Sequence, residues 1–238
     1  MTDAISPHPE EIHKSDRSNW LRAAVLGVDD GIVSTSSIML GLTAANADYR
    51  IILTTGIASL VAGAFSMAAG EYVSVASQKD AQRADIAIER RALKNNPEGE
   101  LAELASIYES RGLDAKLAKQ VAIQLQDNDA VEAHARDELG ITTHAKANPL
   151  QAMVTSALAF ALGSLVPILV AILAHVYMSG SAAILIVVVS LVALAISGMI
   201  GTLIGGGNRL LGAFRVFFGG GIAMAVTYLI GHLVGANL

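Results

Sequence analysis

The chain has 238 residues, 53% of them hydrophobic and only 16% charged, with a mean hydropathy of +0.52 and a net charge of −5. That composition lies outside soluble usage and points to a membrane protein, while the acidic balance, with no Lys/Arg stripe interleaved with aromatics, excludes a phosphate-neutralising nucleic-acid binder. With no cysteine there is neither a disulfide framework nor a thiolate metal site, so any metal bound here takes oxygen, imidazole or thioether ligands.

A polar arm occupies residues 1–20. Five apolar stretches then reach the roughly twenty residues that a helix needs to cross a hydrocarbon core, at Leu21–Ala45, Ile51–Ala76, Leu150–Val176, Ala182–Ile204 and Leu211–Gly235. The first is too long and too far from the start to read as a cleavable leader. Charge is concentrated between the second and third stretches: 23 of the 37 charged side chains fall between Ser77 and Pro149. The expected fold is therefore all-α, a polytopic membrane protein with spans at 21–76 and 150–238 and one polar helical module inserted at 77–149. Basic residues gather on one side of the spans (Lys14, Arg17, Arg22, Lys79, Arg83, Lys146, Arg209, Arg215) and only Arg50 lies on the other. The positive-inside rule then places the N-terminus and the module in the cytoplasm.

The second span has no breaker between Tyr72 and Leu93, so its helix is expected to run on until Asn95, Asn96 and Pro97. A second module helix reads from Glu98 to Ser110, with Leu101, Leu104, Ile107 and Tyr108 as its apolar face and Gly112 placed for a C-terminal cap. Asp114 can cap a third carrying Leu117, Val121 and Leu125, and Asp127 or Asn128 a fourth that ends before Gly140. The apolar content of this bundle is thin and dominated by Ala, so a second copy of the chain is expected to support it.

Chemistry concentrates in acids at membrane depth, where a carboxylate costs roughly 2.5–3.5 kcal/mol or more unless it faces a cavity, a partner or an ion. Asp29 and Asp30 lie inside the first span and Glu71 closes the second. Adjacent residues point about 100° apart on a helix, so the two aspartates cannot share one narrow site. Ser59, Gly63, Met67 and Glu71 recur every four residues and share one face. A divalent cation there needs oxygen ligands and a compensating charge, and the Met67 thioether favours Fe²⁺ over Mg²⁺ or Ca²⁺. In the module, Glu100 and Glu103, and His134 and Glu138, sit at helical one-face spacings. By spacing alone such pairs read as a solvated surface.

The runs Gly27-Val28-Asp29-Asp30-Gly31-Ile32-Val33-Ser34-Thr35, Gly63-Ala64-Phe65-Ser66-Met67-Ala68-Ala69-Gly70-Glu71-Tyr72 and Asp137-Glu138-Leu139-Gly140-Ile141 resemble the vacuolar iron transporter family and its bacterial members. The resemblance extends over nearly the whole chain after His13. It implies a homodimeric exporter of Fe²⁺, and of Mn²⁺, that works against protons, with Asp30 and Met67 on the translocation path and Glu71 at a cytoplasmic vestibule or in a salt bridge. Asp29 is a pairing or entrance residue, or a carboxylate reaching for the interface near Arg22. By the same resemblance Glu100, Glu103 and Glu138 bind metal in the module, Glu89 is a looser match, and His134 stands where plant relatives have a methionine. Ser59 and Ala23 replace acids found in some relatives, which leaves fewer carboxylates for proton coupling. Carboxylate, thioether and imidazole ligands also accept Co²⁺ and Zn²⁺.

No resident cofactor and no enzymatic activity are expected. Gly205-Gly206-Gly207 lacks the Lys-Ser/Thr ending of a nucleotide-binding loop, so gradients must drive transport. An intramembrane aspartyl protease needs two aspartates converging from different helices to share a proton, whereas Asp29 and Asp30 are adjacent on one helix and no other span carries an Asp. The rival reading is a membrane-anchored iron sensor or storage protein. The bacterial-type inner membrane is the expected location.

Overall fold

The structure, a computed structural model, describes residues 18–141, 148–177 and 182–236. Most of the N-terminal arm, with Lys14 and Arg17, and also Lys146, lies outside the described residues. The described residues are helical, in seven elements: α1 Ser18–Ala44, α2 Tyr49–Asn95, α3 Pro97–Ser110, α4 Ala115–Asp137, α5 Pro149–Tyr177, α6 Ala182–Gly205 and α7 Arg209–Gly235. Five of these, α1, α2, α5, α6 and α7, are long and apolar enough to cross a membrane, and their ends fall within a few residues of the hydropathy boundaries except at the end of α2, which runs on to Asn95 as the lack of a breaker led us to expect. Two compact units result, one from residues up to Tyr72 together with those from Leu150 onward, the other from Val73 to Pro149. Helix α2 contributes to both.

In the first unit the core lies among α1, α5, α6 and α7, where Ile32, Met39, Leu40, Ile168, Ala171, Ile186, Leu194 and Met224 are buried. Lipid supplies no hydrophobic drive between helices, so close backbone approach must supply the packing instead. Glycine permits it. A Cβ at Gly27 would sit 2.8 Å from that of Ala159, and one at Gly31 would strike the backbone of Phe160 and Ser164 on α5. Gly163 returns the contact against Val28. Gly231 and Gly235 of α7 meet Gly41 of α1 and Ala45 just beyond its end in the same way, and Gly56 and Gly63 of α2 pack on Met39, Ile168 and Phe160. Not every glycine in the long helices marks such a contact: Gly70 and Gly205 have open space where a Cβ would be. Pro167 lies buried within α5, and the helix continues on both sides of it.

The second unit is built by capping as much as by packing. Pro97 opens α3 rather than only ending α2, because its missing N–H falls where the first turn has no use for one, and the Asn96 side chain caps Gly99 N–H at 3.1 Å. Gly112 follows α3 at φ +101°. Asp114 caps α4 through Lys116 and Leu117 N–H. The fourth helix of the sequence reading is present as the far part of α4, beyond a kink, but its cap is Asp129, not Asp127 or Asn128. Asp129 leaves helical geometry (φ −157°, ψ 97°) and its Oδ1 accepts from Glu132 N–H at 2.9 Å. The module core is small, with Leu104, Ala105, Ala122 and Ala133 buried and Leu101, Tyr108 and Leu125 against them. Leu117, assigned to an inward face by periodicity, is instead exposed.

Candidate metal centre

Three helices of the module bring four ligand groups together. Glu89 comes from the end of α2, Glu100 from the first turn of α3, His134 from the last turn of α4 and Glu138 from its C-cap. One ligand atom from each can be chosen so that all lie within 4.8 Å of one another. His134 is fully buried, and its Nδ1 lies 3.1 Å from Glu89 Oε1 and 3.2 Å from Glu138 Oε2. A ring nitrogen carries one proton at most, so it cannot satisfy both carboxylates; Glu89 Oε1 has no hydrogen-bond partner, nor has His134 Nε2. Burial pushes the Glu89 carboxyl above its ordinary range, the Glu138 charge adds to that, His134 opposes it, and Glu100 and Glu103 raise it further. Glu89, which sequence marked only as a looser match, is thus the most enclosed acid of the group. A divalent cation would answer this arrangement: three carboxylates supply charge and oxygen, and the imidazole favours Fe²⁺, Mn²⁺ or Zn²⁺ over Mg²⁺.

Glu103 stands differently. It is exposed and outside the four-atom cluster, acting on Glu89 only through its charge. Asp85 and Glu132 are exposed and also outside it.

The end of α4 is held by a clasp that periodicity did not reveal. Asp137 accepts from the Tyr108 hydroxyl at 2.7 Å, from Arg111 Nη1 at 2.7 Å and from Arg136 Nη2 at 2.8 Å, while Arg111 Nη2 donates to the Asp137 carbonyl. The Arg111 guanidinium also lies over the Tyr108 ring, 5.2 Å from its centroid. Burial alone would raise the Asp137 carboxyl, but hydrogen bonds from Arg136, Arg111 and Tyr108 outweigh it and bring it down to about 2. This ties the last turn of α4, which carries His134 and Glu138, to the end of α3. The signal in sequence was slight: Tyr108 read as apolar surface, and Asp137 sat in a recognisable run without a role.

In the first unit, Asp30 is half-buried on α1 and accepts from Ser34 Oγ, one turn on, at 2.6 Å. Met67 and Glu71 are half-buried on α2, and Glu71 makes no ion pair among the described residues. Asp29 does not pair with Arg22. Its carboxyl faces Ser197 of α6, and its Oδ1 is buried without a partner. The structure thus separates the adjacent aspartates, one toward Ser34 of its own helix and one toward α6.

The model of the VIT family matches residues 21–232. The chain is 47% identical to a vacuolar iron transporter of Acanthamoeba castellanii, over 98% of this chain and 87% of the relative. It is 35% identical to vacuolar iron transporter homolog 4 of Arabidopsis thaliana (94% and 88% covered) and 35% identical to homolog 5 of Oryza sativa (100% and 92% covered). With the motif runs, the five spans and the full-length matches all in agreement, the chain belongs to the VIT family of vacuolar iron transporters.

Proposed function

We propose that the chain carries divalent metal, Fe²⁺ first and Mn²⁺ as well, out of the cytosol across the inner membrane in exchange for protons. The module at 77–149 faces the cytoplasm and binds the same metal before transport, and the working unit is a homodimer. The observation that carries this reading is the module cluster: three carboxylates and a buried imidazole converging from three helices, with hydrogen bonding left incomplete in a way that a cation completes. Acids inside the spans support the transport half, since an anchor needs none. Asp30 offers the charge and Met67 the softer ligand along the path, with Glu71 at its cytoplasmic mouth.

The test is flux into proteoliposomes read by a metal-quenched dye, with Fe²⁺, Mn²⁺, Co²⁺ and Zn²⁺ in turn and an imposed pH gradient. Asp30→Ala is expected to abolish flux while leaving metal binding at the module intact; flux unchanged in this variant would refute the assigned path. A second reading, a membrane-anchored iron sensor or store, draws on the fact that the best-formed cluster lies in the module. Metal binding by the unmodified protein with no flux for any ion would establish it instead.

A further inference from the structure

We infer that the outward side of α7 holds an anionic phospholipid, its phosphate on Arg215 and an acyl chain along the apolar surface beneath. The binding does not depend on the transport reading above; only its leaflet, the cytoplasmic one, follows from the topology proposed there.

Arg215 is the observation that carries the inference. It is the seventh residue of α7, about 9 Å along the helix from Arg209 at its start, and so stands inside the span. It is exposed and enters no ion pair among the described residues. Neither α6 nor α7 contains an acidic residue. An unpaired charge at membrane depth is costly and is kept where a partner, a cavity or an ion answers it. Side chains on a helix tilt toward its N-terminus, here the end at the membrane edge, so the guanidinium reaches back to the depth of the lipid phosphates. Its planar fork of N–H donors fits a phosphate bidentately.

The surface below Arg215 suits the rest of a lipid. Phe214, Phe217 and Phe218, three of the chain's five phenylalanines, crowd around it and are all exposed. The Phe214 and Phe218 rings lie 4.2 Å apart between centroids, and those of Phe217 and Phe218 5.4 Å. Gly219, one turn beyond Arg215 on the same face, has open space where a Cβ would be, and the exposed Phe218 and Ile222 stand beside this gap. A cation, a gap beneath it and an apolar wall match an anionic headgroup followed by an acyl chain. A free phosphate would use only the first of the three. A second copy of the chain would need a carboxylate at the same depth. Within the spans Asp29 faces Ser197 and Asp30 holds Ser34, which leaves Glu71 as the one acid open to such a contact.

The experiment titrates the full-length protein in detergent with phosphatidylglycerol, with phosphatidylcholine of the same acyl chains, and with glycerol 3-phosphate, and counts bound molecules by native mass spectrometry. Phosphatidylglycerol is expected to bind at least about fivefold more tightly than either of the others. Arg215→Gln is expected to weaken phosphatidylglycerol binding about fivefold, the change that about 1 kcal/mol gives for one basic side chain at a membrane surface, and Arg215→Lys to retain part of it. Gly219→Leu leaves the charge in place, but its side chain leans back over the gap, so a comparable loss is expected through exclusion of the acyl chain. Arg50→Gln, exposed beside the far end of the spans, is expected to bind as the unmodified protein does. Phosphatidylglycerol binding at unmodified strength in Arg215→Gln or in Gly219→Leu overturns the inference, and so does equal binding of the two phospholipids. A change of oligomeric state in Arg215→Gln with lipid binding retained overturns it too, and assigns this face to a second copy of the chain.

Discussion

Glu89 shows stability and binding pulling against each other in one side chain. Its carboxyl is enclosed beside Glu138 and Glu100, so folding holds it above its ordinary value of 4.5. A raised carboxyl favours the protonated form in the folded state, so the metal-free protein loses stability as pH rises from about 4.5 through the raised value. Glu89→Gln removes that penalty. It is expected to raise the melting temperature of the metal-free protein at neutral pH by about 2–4 °C, the shift that about 1 kcal/mol gives in a chain of this size, and to flatten its pH dependence. The same change should weaken Fe²⁺ binding at the module by about tenfold or more, since loss of even an outer partner of a metal ligand costs that much. Calorimetry of metal-free and Fe²⁺-loaded protein reads both, and a variant that melts lower without metal would contradict this account. Sequence could bring Glu89 only as far as the end of a long helix; its burial depends on how α3 and α4 close over it.

At the scale of elements, two kinds of local chemistry set the architecture. Helix ends follow side-chain caps, at Asn96, Asp114, Asp129 and Asn208, and these residue types are legible in advance. The Asp129 break was misplaced by one or two residues because Asp127, Asn128 and Asp129 are all competent caps, and only the path of the chain selects among them. Helix contacts in the first unit follow glycine. Gly31→Val is expected to cost about 1–3 kcal/mol or more, because the new side chain meets the Phe160 backbone, which cannot swing aside. Gly219→Ala, with open space around it, should be neutral or gain up to about 1 kcal/mol from helix propensity. Thermal unfolding in detergent distinguishes them, and equal midpoints would show that Gly31 is not required for the α1–α5 approach.

For the whole molecule, the topology proposed above from the positive-inside rule makes a prediction about which side of the membrane each exposed segment meets. The absence of cysteine makes this directly testable. Ser110→Cys, on the module, should react with an impermeant thiol reagent only from the cytoplasmic side, and Asp48→Cys, in the α1–α2 turn, only from the other side. Both are exposed positions. Reversed labelling would invert the proposed direction of transport.

By itself the sequence determined the number, length and polarity of the spans, because crossing a hydrocarbon core demands about twenty apolar residues and little else satisfies it. It also determined the family, through the runs around Asp30, Met67 and Glu138. Tertiary structure alone decided which acids meet. Helical spacing brings His134 to Glu138, yet it contains nothing that joins them to Glu89 and Glu100, which lie more than thirty residues earlier in the chain. Nor does it turn Asp29 toward Ser197 on α6, or close Tyr108 and Arg111 around Asp137. Periodicity fixes the face of one helix, whereas a site built from several depends on the register and distance between them, and these are set by packing.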